Sequence, residues 1–129
     1  MIVLDTSALV AILTGEPERD DFNRKIAAAS RTSISAANYV EAHIVVKAKL
    51  GEAGTGELSL YLHEAGTEVM ALDRDQADLA RFAYAKYGRG THRAALNFGD
   101  CFAYALAIRL GAPLLYKGTD FSLTDVAGA

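Results

Sequence analysis

The chain opens on a short β-branched run, Ile2, Val3 and Leu4, which stops at Asp5; residues 8–13 are then apolar throughout. This pattern predicts a strand, a polar cap and a buried helix, with Ser7 as the N-cap. Pro17 is placed to open a second helix reaching about Ala29, since proline suits a first helical turn. Thr32–Ser35 predicts a short strand. A helix over residues 36–50 follows, with Tyr39, Val40, Ile44, Val45 and Ala48 recurring at helical spacing. Residues 51–56 (GEAGTG) read as a loop between helices. Leu58, Tyr61 and Leu62 mark a short helix stopped by Gly66, and residues 68–72 (EVMAL) predict the next strand. Asp73 ends that strand and caps a helix to about Tyr87, with Gln76 three residues on. A polar connector, GRGTHRAALNFGD, leads to a helix over residues 100–110 that offers Phe102, Ala103, Leu106, Ala107 and Leu110 to the core. Residues 113–116 form the last apolar strand.

Continuous apolar strands separated by helices indicate a parallel sheet covered on both faces. Sites in such sheets form outside the carboxyl ends of the strands. No repeat, low-complexity tract or Pro-rich linker divides the chain, so a single domain over residues 1–129 is expected.

Composition narrows the function classes. Of the 129 residues, 51% are hydrophobic and 22% charged, which excludes a disordered chain. No apolar run approaches the ~20 residues of a membrane span. No basic stretch precedes the first apolar segment, so a secretory signal is not expected. The single cysteine, Cys101, allows no internal disulfide and suits a reducing, cytoplasmic location; it reads as a small buried hydrophobe. The balance of 13 basic to 16 acidic residues, net −3, argues against bulk electrostatic attraction to nucleic acid. It leaves room for a local site whose charge is changed by metal ions.

The strand-end rule selects four acids. Asp5 directly follows the first strand, and Asp120 lies four residues after Tyr116. Asp100 starts the helix leading into the last strand, and Glu41 lies one to two turns inside the helix after Thr32–Ser35. Carboxylates gathered at neutral pH repel one another, and divalent ions remove that cost. Oxygen-only ligands suit Mg²⁺ or Mn²⁺, and no His or Cys has zinc-like spacing. Such a site activates water and steadies a phosphodiester undergoing in-line displacement. Each acid also has an ordinary structural role. Aspartates after strands cap turns and helices, and a buried Glu41 would pair with a Lys or Arg.

The segments MIVLDTSALVAIL, YVEA around Glu41, LNFGDCFAYALA around Asp100 and LLYKGTDFSLTDV resemble the PIN-domain family, and within it the VapC-type toxins, over essentially the whole chain. The GRGTHRAALNFGDC stretch is similar to one VapC subgroup and is the most specific piece. The resemblance implies a three-layer α/β/α domain with a mainly parallel five-stranded sheet. It further implies a Mg²⁺- or Mn²⁺-dependent endoribonuclease leaving 5′-phosphate and 3′-hydroxyl ends, dimeric, and inhibited by a VapB-type antitoxin. Carried onto this chain, the family's acids fall on Asp5, Glu41, Asp100 and Asp120. Asp5 and Asp100 are the expected direct metal ligands, with Asp120 and Glu41 completing the site through water or a second ion. Thr119 departs from the Asn or other polar residue of related members but keeps a hydroxyl.

Further candidates surround this set. Thr6 and Ser7 orient water or phosphate, or simply cap a helix. Lys86, Arg89, His92 and Arg93 form the densest basic stretch, either an RNA contact or a solvated surface. Tyr84 and Tyr87 stack on bases or belong to the core or a dimer contact, and Lys117 faces the crevice or is a loop lysine. His43 and His63 are isolated and read as core or surface residues. Two other functions compete: a receiver-like phospho-acceptor domain, disfavoured because Asp5 stands alone after its strand, and an inactive PIN binding module. Which RNA is cut is not legible; transfer and ribosomal RNA both fit the family.

Overall fold

Strands β1 (Ile2–Leu4), β2 (Thr32–Ser35), β3 (Glu68–Met70) and β4 (Leu114–Leu115) form one parallel sheet in the order β3-β2-β1-β4, in a computed structural model that describes residues 1–129. In register, Val3 lies opposite Ser33 on one side and Leu114 on the other. The order places β1 at the point where the chain switches from building one half of the sheet to the other, and crevices open at such points.

Helices α1 (Thr6–Leu13), α2 (Arg19–Ala28) and α3 (Ala36–Glu64) share one core with Leu4, Ile34 and Leu115. Helices α4 (Arg74–Tyr87) and α5 (Phe98–Leu110) share the other with Val3 and Leu114. Successive strand residues point to opposite faces, so Val3 and Leu4 must both be apolar, one for each layer. The result is the expected three-layer α/β/α domain.

The sheet has four strands rather than five. At the remaining edge the chain end reaches β4 only through a bridge between Leu114 and Gly128, too short to be a strand. Residues 51–56 are not a loop: the chain leaves helical geometry only at Gly51 (φ 73°, ψ −167°) and resumes as helix at once. Glycine tolerates that positive φ, and a long helix kinks there without ending. The stripe assigned to the first half of α3 also differs. Asn38, Ala42 and Val46 are buried, whereas Val40 and Ile44 are exposed. The cap of α1 is Asp5 rather than Ser7, and α5 begins at Phe98 because Asn97 and Asp100 form a reciprocal capping box. Asp73 caps α4 through the Gln76 N–H, as its spacing predicts.

Candidate active site

A cleft of about 380 Å³ opens at the carboxyl ends of β1 and β4, and its lining includes Asp5, Thr6, Ser7, Glu16, Glu41, Asn97, Asp100 and Lys117. Three elements deliver three of its acids, and the turn between α1 and α2 supplies the fourth, Glu16. The end of β1 supplies Asp5, the second turn of α3 supplies Glu41, and the first turn of α5 supplies Asp100. The sheet edge therefore gathers residues that are far apart in sequence.

Asp5 is buried, and its Oδ2 accepts the Ser7 N–H at 3.0 Å and the Ser7 hydroxyl at 2.5 Å. Its Oδ1 is buried without a hydrogen-bond partner. Burial pushes the Asp5 carboxyl up to about 7; the Ser7 bonds oppose the rise, and the charges of Asp100 and Glu41 add to it. Asp100 is partly exposed. Its Oδ2 accepts the Asn97 N–H at 3.0 Å, and its carboxyl is also raised, by desolvation first and then by Asp120 and Glu41. Glu41 Oε1 accepts the Thr6 hydroxyl at 2.5 Å and Asn38 Nδ2 at 3.1 Å. No lysine or arginine pairs with Glu41, so a buried salt bridge does not explain it.

Asp120 stands apart. It begins a 3₁₀ turn (Asp120–Leu123), is exposed and does not line the cleft, and it reaches the site through its charge on Asp100. Thr119 is likewise exposed and its side chain caps nothing. Of the basic candidates, only Lys117 lines the cleft. Its ammonium is engaged by Glu16 and Glu18, and its peptide N–H donates to Ser7 Oγ at 2.9 Å. Arg89 and Arg93 stand exposed on the connector, while His92 turns inward, accepting the Ala94 N–H and meeting Tyr87 edge-on. Tyr87 is core; Tyr84 is exposed beside Phe98 in an apolar hollow. Cys101 is buried, and burial raises its thiol to about 11, as befits an inert side chain.

The donor set fits a hard divalent cation. All donors are oxygen, Asp5 keeps an orphaned oxygen, and the nearby ammonium is already engaged. No three acidic, histidine or cysteine side chains form a ready-made cage. A site of this kind relies on water for much of its coordination, as Mg²⁺ prefers.

Five contributors escape a reading of the sequence: Asn38, Asn97, Glu16, Glu18 and Gly99. Asn38 lies three residues before Glu41, on the same helix face, and that spacing is the signal that reveals it. The glutamates leave no pattern, because their partner Lys117 is about a hundred residues away.

The PIN domain family model matches residues 2–127. Ribonuclease VapC of Mycolicibacterium smegmatis is 53% identical over 126 residues, covering 98% of each chain. Among solved structures, Mycobacterium tuberculosis VapC20, described as a sarcin-ricin loop cleaving toxin, superposes with a TM-score of 0.82 at 16% identity, covering 100% of this chain and 98% of that one. A toxin–antitoxin complex from Klebsiella pneumoniae contains a chain that superposes with a TM-score of 0.73 at 17% identity, covering 100% and 97%.

Proposed function

Because the chain belongs to the PIN-domain family, among its VapC-type ribonuclease toxins, we propose that it is a divalent-cation-dependent endoribonuclease of a toxin–antitoxin pair, cutting RNA at the cleft of Asp5, Glu41 and Asp100. The observation that carries this reading is one cleft lined by Asp5, Glu41 and Asp100, with Asp5 Oδ1 left unpartnered. The receiver-like alternative does not fit the family match.

Asp5 and Asp100 would hold the cation directly. Glu41 would meet it directly or through water, and Asp120 contributes charge from outside the cleft. Mg²⁺ or Mn²⁺ bound there supplies Lewis acidity, lowering the pKa of a water and offsetting charge on the phosphodiester. Ser7 favours the ionised form of Asp5 by donating to Oδ2, against the burial that raises its carboxyl. The Thr6 hydroxyl and the Asn38 amide fix Glu41. Lys117 sits at the mouth of the cleft, where an incoming phosphate competes with Glu16 and Glu18 for its ammonium. Arg89 and Arg93 remain candidates for contacts to RNA beyond the cleft.

Two partners follow. A VapB-type antitoxin is the expected inhibitor, in keeping with the toxin–antitoxin complex whose chain shares this fold. A second copy of the chain is the expected occupant of the exposed apolar face of Val40, Ile44, Leu72 and Phe98, which is too apolar to be left to solvent. No helix is long and apolar enough to cross a membrane.

The test is cleavage of RNA by protein freed of antitoxin, in Mg²⁺, Mn²⁺ or EDTA. Cutting in either metal that stops in EDTA supports the reading. Cutting that continues unchanged in EDTA removes the cation from it.

A further inference from the structure

Asn38 is fully buried, an uncommon place for an amide. Its Nδ2 donates to Glu41 Oε1 at 3.1 Å and to the backbone oxygen of Gly99 at 2.9 Å. Both partners are acceptors, so the nitrogen must face them and the orientation of the amide is fixed. Its Oδ1 is left buried with no partner. That orphan is a cost to stability which an apolar side chain of the same size would not carry. A residue kept at such a cost, one turn before a cleft carboxylate, points to a role other than packing.

Gly99 completes the arrangement. It is buried in the first turn of α5, next to Asp100, and a Cβ built there would overlap Glu41 Oε2. The Glu41 carboxylate thus lies against bare backbone. Its Oε1 is held by Thr6 and Asn38, and Oε2 takes neither of these bonds. A glutamate has three rotatable bonds to restrain, and the clamp restrains them before any ligand arrives. The Asn38–Gly99 bond also ties the first turn of α3 to the first turn of α5, so Glu41 and Asp100 keep a constant relative position.

We infer that Asn38 and Gly99 are positioning residues that aim the Glu41 carboxylate into the cleft, an inference that rests on the nuclease reading above. Neither touches the substrate; both act through Glu41.

The test is a double-mutant cycle with Asn38→Leu and Glu41→Gln, read by RNA cleavage, by Mn²⁺ calorimetry and by melting temperature. Asn38→Leu removes the orphaned oxygen but also two hydrogen bonds, so it is expected to fold and to melt modestly below the parent. It should nonetheless lose roughly tenfold or more in kcat and in Mn²⁺ affinity, the range of effect for residues that orient ligand side chains. The KM for RNA should stay within about twofold, since uniform binding is untouched. In the Glu41→Gln background the substitution should add no further loss. If Asn38→Leu does not fold, Gly99→Ala takes its place. There the atoms nearest the new Cβ are those of the movable end of Glu41, and the same coupled loss is expected. Parent-like cleavage and Mn²⁺ binding, or losses that add to those of Glu41→Gln, overturn the inference while the nuclease reading stands. A parent protein that neither cuts RNA nor binds Mn²⁺ removes the nuclease reading and the inference with it.

Discussion

The peptide N–H of Lys117 donates to Ser7 Oγ at 2.9 Å, joining the end of β4 to the first turn of α1 across 110 residues. Ser7 passes the interaction on, because its hydroxyl donates to Asp5 Oδ2 at 2.5 Å. One serine thus links the two strand ends and opposes the rise that burial imposes on the buried acid. Its bonds are the chief influence lowering the Asp5 carboxyl. Ser7→Ala should therefore raise that carboxyl further. At subsaturating Mn²⁺, where the rate follows the cation-free form, the acidic limb of the cleavage pH profile should move up by about one unit, since a hydrogen bond to a charged group contributes about 1.5–3 kcal/mol. A pH–rate series on parent and variant checks this, and an unmoved limb speaks against it.

Asp5 should make the cation-free protein less stable as pH rises. Its carboxyl titrates near 3.8 when unfolded and about 7 when folded. Between those values the folded state holds the extra proton, so the unfolding free energy falls as pH climbs from about 4 to about 7. Above that window the penalty is complete, on the order of 4 kcal/mol at ~1.4 kcal/mol per unit. Asp5→Asn keeps a side chain able to cap α1 and removes the charge. In EDTA at pH 8 it should melt above the parent, and near pH 4 the two should converge. Mn²⁺ should raise the melting temperature of the parent far more than that of the variant.

Lys117 gives a salt-dependent prediction. Its ammonium is shared with Glu16 and Glu18 and is partly exposed, so the ion pairs add little stability. Their effect falls instead on RNA. Lys117→Ala should raise KM severalfold with a smaller change in kcat, and should flatten the salt dependence of binding by about 0.7 in log–log slope, the loss of one contact to single-stranded phosphate. Neutralising both partners, Glu16→Gln with Glu18→Gln, should tighten binding. Fluorescence titrations over a range of salt concentrations separate these outcomes.

The apolar face makes a prediction about assembly. Phe98 is 77% exposed and Ile44 64% exposed, on helices that meet beside the cleft. Phe98→Glu should give a monomer by sedimentation, with the far-ultraviolet spectrum unchanged. A variant that sediments as the parent does would rule this face out as the contact between copies.

Much of the frame was legible because its signals are local. The run Ile2 to Leu4 ending at Asp5 announces a buried strand and the acid at its tip, and Asp73 with Gln76 announces a helix start; both lie where the pattern puts them. The signals that misled are those with two physical readings. Val40 and Ile44 recur at helical spacing, but a stripe meant for another surface has the same period as one meant for the core. Glycines 51, 54 and 56 suggest a loop, yet only Gly51 adopts a conformation that needs one, and Gly54 is buried within the resumed helix. Asp120 follows the last strand as expected, but the turn that carries it leaves it exposed outside the cleft, which no strand-end rule foresees. Asn38 and Gly99 matter only through a contact between two helices more than sixty residues apart in sequence.

The most direct measurement is single-turnover cleavage of RNA in Mn²⁺ by the antitoxin-free parent, by Asp5→Asn and by Asp100→Asn, with folding of each checked by melting. The account predicts that both variants fold and lose about a hundredfold or more in rate, because each loses a charge that holds the cation. Folded variants that cut as fast as the parent would contradict it.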